Sequence, residues 1–480
     1  MVGGTTPGDE TRSRVRGAIP HGGPGLRVAI VGAGPAGFFA AAALLKEGAQ
    51  VDLYERLPAP FGLVRYGVAP DHQKIKRVAS AFDKIARSPG LRYFGNVEVG
   101  RDVGLEELRA HYDQVLVTIG AASDRRLGVP GEDLAGSVSA VSVVGWYNGH
   151  PDFPSAPPLD GRRAVVVGLG NVALDVARVL IRHPRELEPT DIDDDALLAL
   201  RRSKVREVVL LGRRGPVEAA FDLGELQDLT RLVGVEVGVD AAPGELEAAL
   251  TGAELDSATA AKVAFIAGLP RADALTGRRR VLLRFLASPR ELRGDAEGRV
   301  RQLEIEHNEL QGPPGAARAR GTGRTSTLAA DLVIRAIGYR AVPLPELPFD
   351  AARAVVPNEG GRVLRDDGEV EPGLYVAGWI KRGPTGLIGT NKGCALQTVQ
   401  AMLEDAARGS FVREGGPGAI DELLAARGVR VVDYDDWLRI DAAELEAGRA
   451  RGRARVKTRS TEELLEWLET PPRTSQRAAR

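Results

Sequence analysis

Two arginines in succession, Arg213 and Arg214, end the apolar run "VREVVLLGRR". A planar guanidinium presents a fork of donors that matches a phosphate, and two side by side can hold a dianion through charge-assisted hydrogen bonds. The same pair could do no more than solvate the end of a strand. Two glycine-rich turns offer complementary chemistry: "VGAGPAG", with Gly32, Gly34, Pro35, Ala36 and Gly37, and "VGLGNVA", with Gly168, Gly170, Asn171, Val172 and, at the third position, Ala173. Glycines at this spacing allow a tight turn and the close approach of a pyrophosphate to the first amides of a helix. Glu55 lies 21 residues after Gly34, where a carboxylate can accept hydrogen bonds from both hydroxyls of a ribose. No acid closes the strand after the second turn. A carboxylate there would repel a 2'-phosphate, so the arginine pair points to NADP(H) rather than NAD(H).

The elements around these residues are legible. Residues 27–55 read as strand, glycine turn, Ala- and Leu-rich helix, then a second strand ending in Glu55, a βαβ unit. Residues 162–181 repeat the strand, turn and helix, and the helix continues through Asp175 and Arg178. The insertion "DIDDDALLALRR" reads as a solvated acidic face. Two further apolar strands, "QVLVTIGA" (114–121) and "LVIRAIGY" (332–339), can carry the chain between domains. The expected fold is α/β: two Rossmann-like dinucleotide-binding domains, with an NADP domain at 122–340 inserted into a discontinuous first domain made of 25–121 and 341–480. The tail segment "GLYVAGWIKRGPTGLIGTNKGCALQTVQAML" (373–403) reads as strand, Gly-rich loop and helix, which can bring amides back to the first nucleotide. Facing nucleotide sites suggest electron transfer, with a tightly held flavin in the first site while NADPH comes and goes.

Composition excludes other classes. With 64 basic against 65 acidic residues and a net charge of −1, the chain has no global field for nucleic acid or a membrane surface. Cys394 is the sole cysteine, which excludes an internal disulfide, a CxxC redox pair and a cysteine-ligated iron-sulfur cluster; no metal site is expected. The longest strongly apolar stretch, "FFAAAALL" (38–45), is far below the roughly 18–20 residues that span a bilayer. Residues 1–24 are Gly-, Pro- and Arg-rich without an apolar core, so they read as a disordered extension, with Arg12, Arg14 and Arg16 leaving a transit peptide as the lesser alternative. A cytoplasmic location is expected.

From residue 26 to about 470 the chain resembles the adrenodoxin-reductase-like family of ferredoxin-NADP reductases, in particular its bacterial members. The resemblance rests on "VGAGPAGFFAAAALL", "PFGLVRYGVAPDHQKIK", "YFGNVEVG", "GVPGEDLAG", "VGWYNGHPDF", "VGLGNVALDVARVL", "LGRRGPVEAAF" and "AGWIKRGPTGLIGTNK", in that order. It implies FAD in the first site and NADPH in the second. It makes Gly62, Leu63 and Val99 candidate FAD neighbours, together with Trp379, Gly386, Leu387 and Ile388 of the tail loop. Trp379 follows Gly378 as in the reductases, where many two-dinucleotide flavoenzymes carry an acid. In the second site the resemblance lays the 2'-phosphate on Arg213 and Arg214, the pyrophosphate beside Asn171 and Val172, and the nicotinamide half near Glu225. It also pairs an active-site histidine, His72, with a carboxylate at Asp228, where the bacterial relatives carry Glu; the shorter side chain puts direct pairing in doubt and allows a water bridge.

The implied reaction is FAD-mediated: a hydride from NADPH is split into single electrons for ferredoxin, reversibly. Binding groups then matter more than acids or bases, and His72 acts as an electrostatic or positioning partner; taken alone, it reads as a solvated loop residue. Another acceptor, such as a flavodoxin, a quinone or an oxygenase component, would use the same cofactor chemistry. A non-catalytic nucleotide-binding scaffold would retain the fold alone. For an acidic ferredoxin, "TGRRR" (276–280) and the C-terminal "GRARGRARVKTRS" (448–460) are competing basic docks; the second also reads as a mobile connector.

Overall fold

A computed structural model describes residues 25–241, 255–409, 416 and 418–469. The extension at 1–24 lies outside the described residues. The strand Arg27–Val31 carries no polar face, and Val28, Ala29 and Ile30 are wholly buried. A strand apolar on both faces needs cover on both, which parallel sheets with crossover helices supply. It sits near the middle of a seven-stranded sheet in the order 358–359, 362–364, 370–376, 114–117, 27–31, 50–55, 91–95. The last five of these strands run parallel, with Arg27 opposite Gln50 and Val28 opposite Gln114. The strand ending at Val117 is thus flanked by strands from both ends of the chain.

A second sheet, parallel throughout, has six strands in the order 137–139, 332–335, 163–167, 207–211, 280–284, 236–239. All its strands come from between the two segments that build the first sheet. The connecting chains that leave and return pair with each other as a short antiparallel ribbon, Ser123 opposite Arg340 and Asp124 opposite Tyr339. An antiparallel three-stranded sheet, 287–294, 300–311 and 318–329, is an addition that the sequence pattern did not announce. The strand 318–329 is mostly exposed and Arg-, Gly- and Thr-rich, and the strand 300–311 buries Val300, Leu303, Ile305 and Asn308 among charged and amide side chains, so neither shows the sustained apolar alternation by which strands are recognised.

Two expectations are corrected here. The acidic insertion is not a solvated face: Asp191 and Asp193 are buried. The basic C-terminal stretch is not a free connector but the opposite half of a clamp. Arg451 and Arg453 pair with Asp194, Arg459 with Asp193 and Asp195, and Lys457 with Asp191. Arg455 ties the same stretch to Asp441 and Glu444 of the helix Tyr434–Ala450, and Glu444 is also held by Arg65. Charges alternating with small residues resemble linker composition; only the fold brings the acids opposite. Among the described residues no helix is long and apolar enough to cross a membrane.

Candidate active site between two dinucleotide cradles

The first cradle forms at the carboxyl end of the strand Arg27–Val31. Gly32 has φ +110, and a Cβ there would stand 2.8 Å from the Thr118 carbonyl oxygen, so no other residue fits. Gly37 packs helix on strand: its Cβ would meet the Gly32 carbonyl oxygen at 2.2 Å. Gly34 faces open space, with nothing within 4 Å of a built Cβ, at the N-cap of the helix Pro35–Lys46. Pro35 takes the first helical position and Ala36 is buried behind it. Amide groups at an open helix start are what a pyrophosphate requires.

Glu55 caps the cradle. Its carboxylate accepts from Ala33 N at 3.1 Å and from Leu57 N at 3.2 Å, and burial pushes the carboxyl up from its ordinary value. Gly62, at φ +48, brings the next loop down onto the turn, where its Cβ would touch Gly34 Cα at 3.2 Å. Leu63 opens the short helix that follows. Phe61 beside it holds a left-handed φ of 83 while its N–H donates to the Ala33 carbonyl at 2.9 Å, a strained residue fixed against the turn. The tail loop closes the far side: a Cβ on Gly378 would lie 2.8 Å from Ala36 Cβ. Trp379 stacks obliquely on Tyr339 at 5.2 Å, and its indole N–H donates to the Thr385 carbonyl at 3.2 Å. Gly386 turns at φ +78 into Leu387, which is 62% exposed, and Ile388, which begins a helix through Arg408. Val99 is buried in the apolar cluster that contains Val31 and Tyr54. An open glycine turn, a carboxylate that forms no ion pair among the described residues and a second open helix start fit an adenine dinucleotide with an isoalloxazine, as the resemblance expects.

The second cradle repeats the plan. Gly168 has φ +130 with its Cβ position 2.2 Å from the Ala336 carbonyl oxygen, and Gly170, the N-cap of Asn171–Ile181, faces open space. Asn171 is locked by reciprocal bonds of 2.8 Å with Asp222, at the start of the helix Leu223–Thr230, and Val172 follows half-buried. Arg213 is exposed and Arg214 half-buried. Neither has a carboxylate within ion-pair distance among the described residues; the one guanidinium bond is Arg214 Nη2 to the Glu218 carbonyl at 3.4 Å. Arginines elsewhere in this unit, such as Arg163, Arg178 and Arg284, are paired with carboxylates, so this unneutralised couple fits an incoming phosphate.

Where the cradles meet, the nearest carboxylate to His72 is Glu225. Its Oε2 lies 3.5 Å from His72 Nε2, and Asp175 Oδ1 lies 3.9 Å from Nδ1. Asp228 lines the same small cleft but pairs with Arg231 at 2.9 Å, and its side chain is 54% exposed. The expected pairing of His72 with Asp228 is therefore not the contact formed: Glu225, in the first turn of the helix, is the carboxylate that reaches His72, while Asp228, one turn further along the same face, pairs with Arg231 instead. Arg178, with its side chain 2% exposed, joins the group: it donates to Asp71 at 2.6 Å, to Asp175 at 2.6 Å and to Glu225 at 3.2 Å. Burial, then the Arg178 charge, holds His72 below its usual value. Burial pushes Asp175 up to about 6 in spite of Arg178, and burial also raises Glu225. The sequence assigns no site role to Asp71, Asp175 or Arg178. The available signal was an acid and a base three apart on an otherwise apolar helix.

Two open glycine turns, at the carboxyl ends of two parallel sheets and joined by a shared cluster of charges, define a two-dinucleotide oxidoreductase. Residues 26–214 match the pyridine nucleotide-disulphide oxidoreductase family. The chain is 46% identical over 458 residues to NADPH-ferredoxin reductase FprA of Mycobacterium tuberculosis, covering 91% of this chain and 98% of that protein. It is 40% identical over 461 residues to the mitochondrial NADPH:adrenodoxin oxidoreductase of Arabidopsis thaliana, covering 92% and 95%. The solved structure of Mycobacterium tuberculosis FprA in complex with NADPH superposes with a TM-score of 0.86 at 44% identity, over 93% of this chain and 100% of that one. The chain belongs to the adrenodoxin-reductase-like family of ferredoxin-NADP reductases.

Proposed function

We infer that the protein is an FAD-dependent ferredoxin-NADP reductase, which passes electrons from NADPH to ferredoxin and can run in reverse. The observation that carries this reading is the asymmetry of the two cradles. Both have an open glycine turn at a helix start, but the first ends in Glu55 and the second in two unneutralised guanidinium groups. A carboxylate suits an unmodified ribose and the arginines suit a 2'-phosphate, so the sites take FAD and NADP(H) respectively. Bound FAD supplies the exchange between two-electron and one-electron chemistry that NADPH and an iron-sulfur partner require.

The chain's own groups bind and orient. The amides after Gly34 hold the FAD pyrophosphate, Glu55 holds its ribose, and the loops at Gly62–Leu63 and Trp379–Ile388 border its ring system. Gly168, Gly170, Asn171 and Val172 receive the NADP(H) pyrophosphate, while Arg213 and Arg214 clasp its extra phosphate. Glu225 and His72, held by Arg178, border the nicotinamide half; Asp228 stands at the rim of the same cleft. His72, its basicity lowered by burial and the Arg178 charge, positions rather than reacts. Sheet membership supports assigning the FAD-binding unit to 25–121 with 341–480 and the NADP-binding unit to 122–340. The reading carries a cytoplasmic location, which cell fractionation would check.

The test is spectroscopic. The purified protein is expected to be yellow, to bleach anaerobically with NADPH, and then to reduce a purified ferredoxin. A colourless protein that takes up no added FAD would end this reading.

A further inference from the structure

The amino-terminal ends of the strands Glu207–Leu211 and Arg280–Arg284, with the carboxyl end of the helix Asn171–Ile181, border a cleft of about 430 Å³. A volume of this size is in the range of small-molecule sites. Its walls combine apolar groups, Ile181, Leu200 and Val205, with the guanidinium groups of Arg185, Arg206 and Arg279. Parallel strands place this end opposite the one that carries Gly168 and Arg213. Five residues at about 3.3 Å each separate the two by roughly 17 Å, so a ligand here is distinct from the nucleotide.

Charge in the cleft is unbalanced. Arg182 and Arg201, on the same walls, are paired with Asp71 and Glu188. Arg185, Arg206 and Arg279 form no ion pair with any described carboxylate. Arg206 uses Nη1 on the carbonyls of Ser203 at 3.0 Å and Val205 at 2.7 Å, and Arg279 uses Nη1 on Ile181 at 3.4 Å. Those bonds satisfy backbone carbonyls and leave Nε and the other Nη of both side chains without an acceptor among the described residues. Burial and the adjacent Arg206 charge hold the Arg279 guanidinium below its usual value, and the Glu186 carboxylate, itself paired with Arg182, only partly opposes them.

We propose that this cleft is a second anion site, which takes a small phosphate compound through Arg185, Arg206 and Arg279. A compact multivalent oxyanion fills the vacant donors and relieves the repulsion between the two inner guanidinium groups, while the apolar wall can accept the body of an organic phosphate. The proposal does not depend on what binds at Arg213 and Arg214.

Isothermal titration of the FAD-loaded protein, with excess NADP+ present, tests it with pyrophosphate and with AMP. Saturable binding of one equivalent is expected, weakened at least tenfold by Arg206→Gln with Arg279→Gln. Arg185→Gln, an exposed change that leaves folding intact, is expected to weaken it severalfold. Preference for AMP identifies an organic phosphate as the source of the anion, and preference for pyrophosphate a free one. Absence of binding by both probes, or binding that neither variant alters, overturns the proposal.

Discussion

The side-chain amide of Asn308 donates to the backbone carbonyl of Arg213 at 2.8 Å, from the middle of the added three-stranded sheet. Asn308 is 8% exposed and also donates to Ser288 Oγ at 2.8 Å. Leu286 N holds the Arg214 carbonyl at 3.1 Å, and Glu218 bridges Gly215 N and Gly315 N at 3.2 and 3.0 Å. The arginine loop is therefore pinned by residues far along the chain. Asn308→Leu leaves the Arg213 carbonyl unpaired, a cost of about 1–3 kcal/mol. Part of that cost should appear as a fivefold to tenfold rise in KM for NADPH, with NADH kinetics nearly unchanged.

Replacement of the pair itself should be more severe. Arg213→Ala with Arg214→Ala removes charge-assisted bonds of about 1.5–3 kcal/mol each. A fall of about a hundredfold or more in kcat/KM for NADPH is expected, with no more than about a threefold change for NADH. Equal losses with both nucleotides would remove the assignment of the 2'-phosphate to these side chains.

His72 separates the roles of Glu225 and Asp228. Glu225 is the carboxylate that most favours the protonated imidazole, and Asp228 follows behind both Glu225 and Asp71. Glu225→Gln should therefore lower the His72 pKa measurably in an NMR titration, and Asp228→Asn should move it much less. A larger effect from Asp228 would show that the two side chains exchange places in solution.

Asp175 links the same cluster to stability. Its carboxyl is pushed up to about 6 in the fold from an ordinary 3.8, so the folded state binds a proton more tightly than the unfolded chain. Stability from this group is full below pH 4 and is lost as pH rises through about 6, on the order of 3 kcal/mol at most. Asp175→Asn removes that loss. Denaturant unfolding at pH 4.5 and pH 8 should show the variant gaining on the parent protein at the higher pH.

Lys457 is the buried end of the C-terminal clamp, with its side chain 1% exposed and 2.9 Å from Asp191. Burial lowers its basicity while Asp191 opposes the shift; Asp191 in turn is held below its usual value by Lys457 and Lys76 against burial. Lys457→Met leaves Asp191 with Lys76 alone and should cost about 3–5 kcal/mol. Lys457 also donates to the backbone carbonyls of Arg65 and Asn148, so the loss should be accompanied by loosened contact between the two sheets, visible as faster amide exchange near residues 190–195. Arg408→Gln, at an exposed pair with Asp405, should change stability by less than about 1 kcal/mol.

Sequence alone determined the features that arise within a few residues of one another. The turns at Gly32–Gly37 and Gly168–Ala173, Glu55 at its strand end and the adjacent arginines are local because backbone geometry and short-range sterics set them. The family resemblance added the cofactors and the neighbourhood of His72. Tertiary structure decided which carboxylate reaches His72, that Asp191 and Lys457 are a buried pair rather than solvated charges, and that Asn308 supports Arg213. Each of those depends on how segments distant in sequence pack together. An ionic or polar contact across 95 residues or more leaves no periodicity in either partner's local sequence, because only the packed arrangement removes water from both groups and brings them within reach.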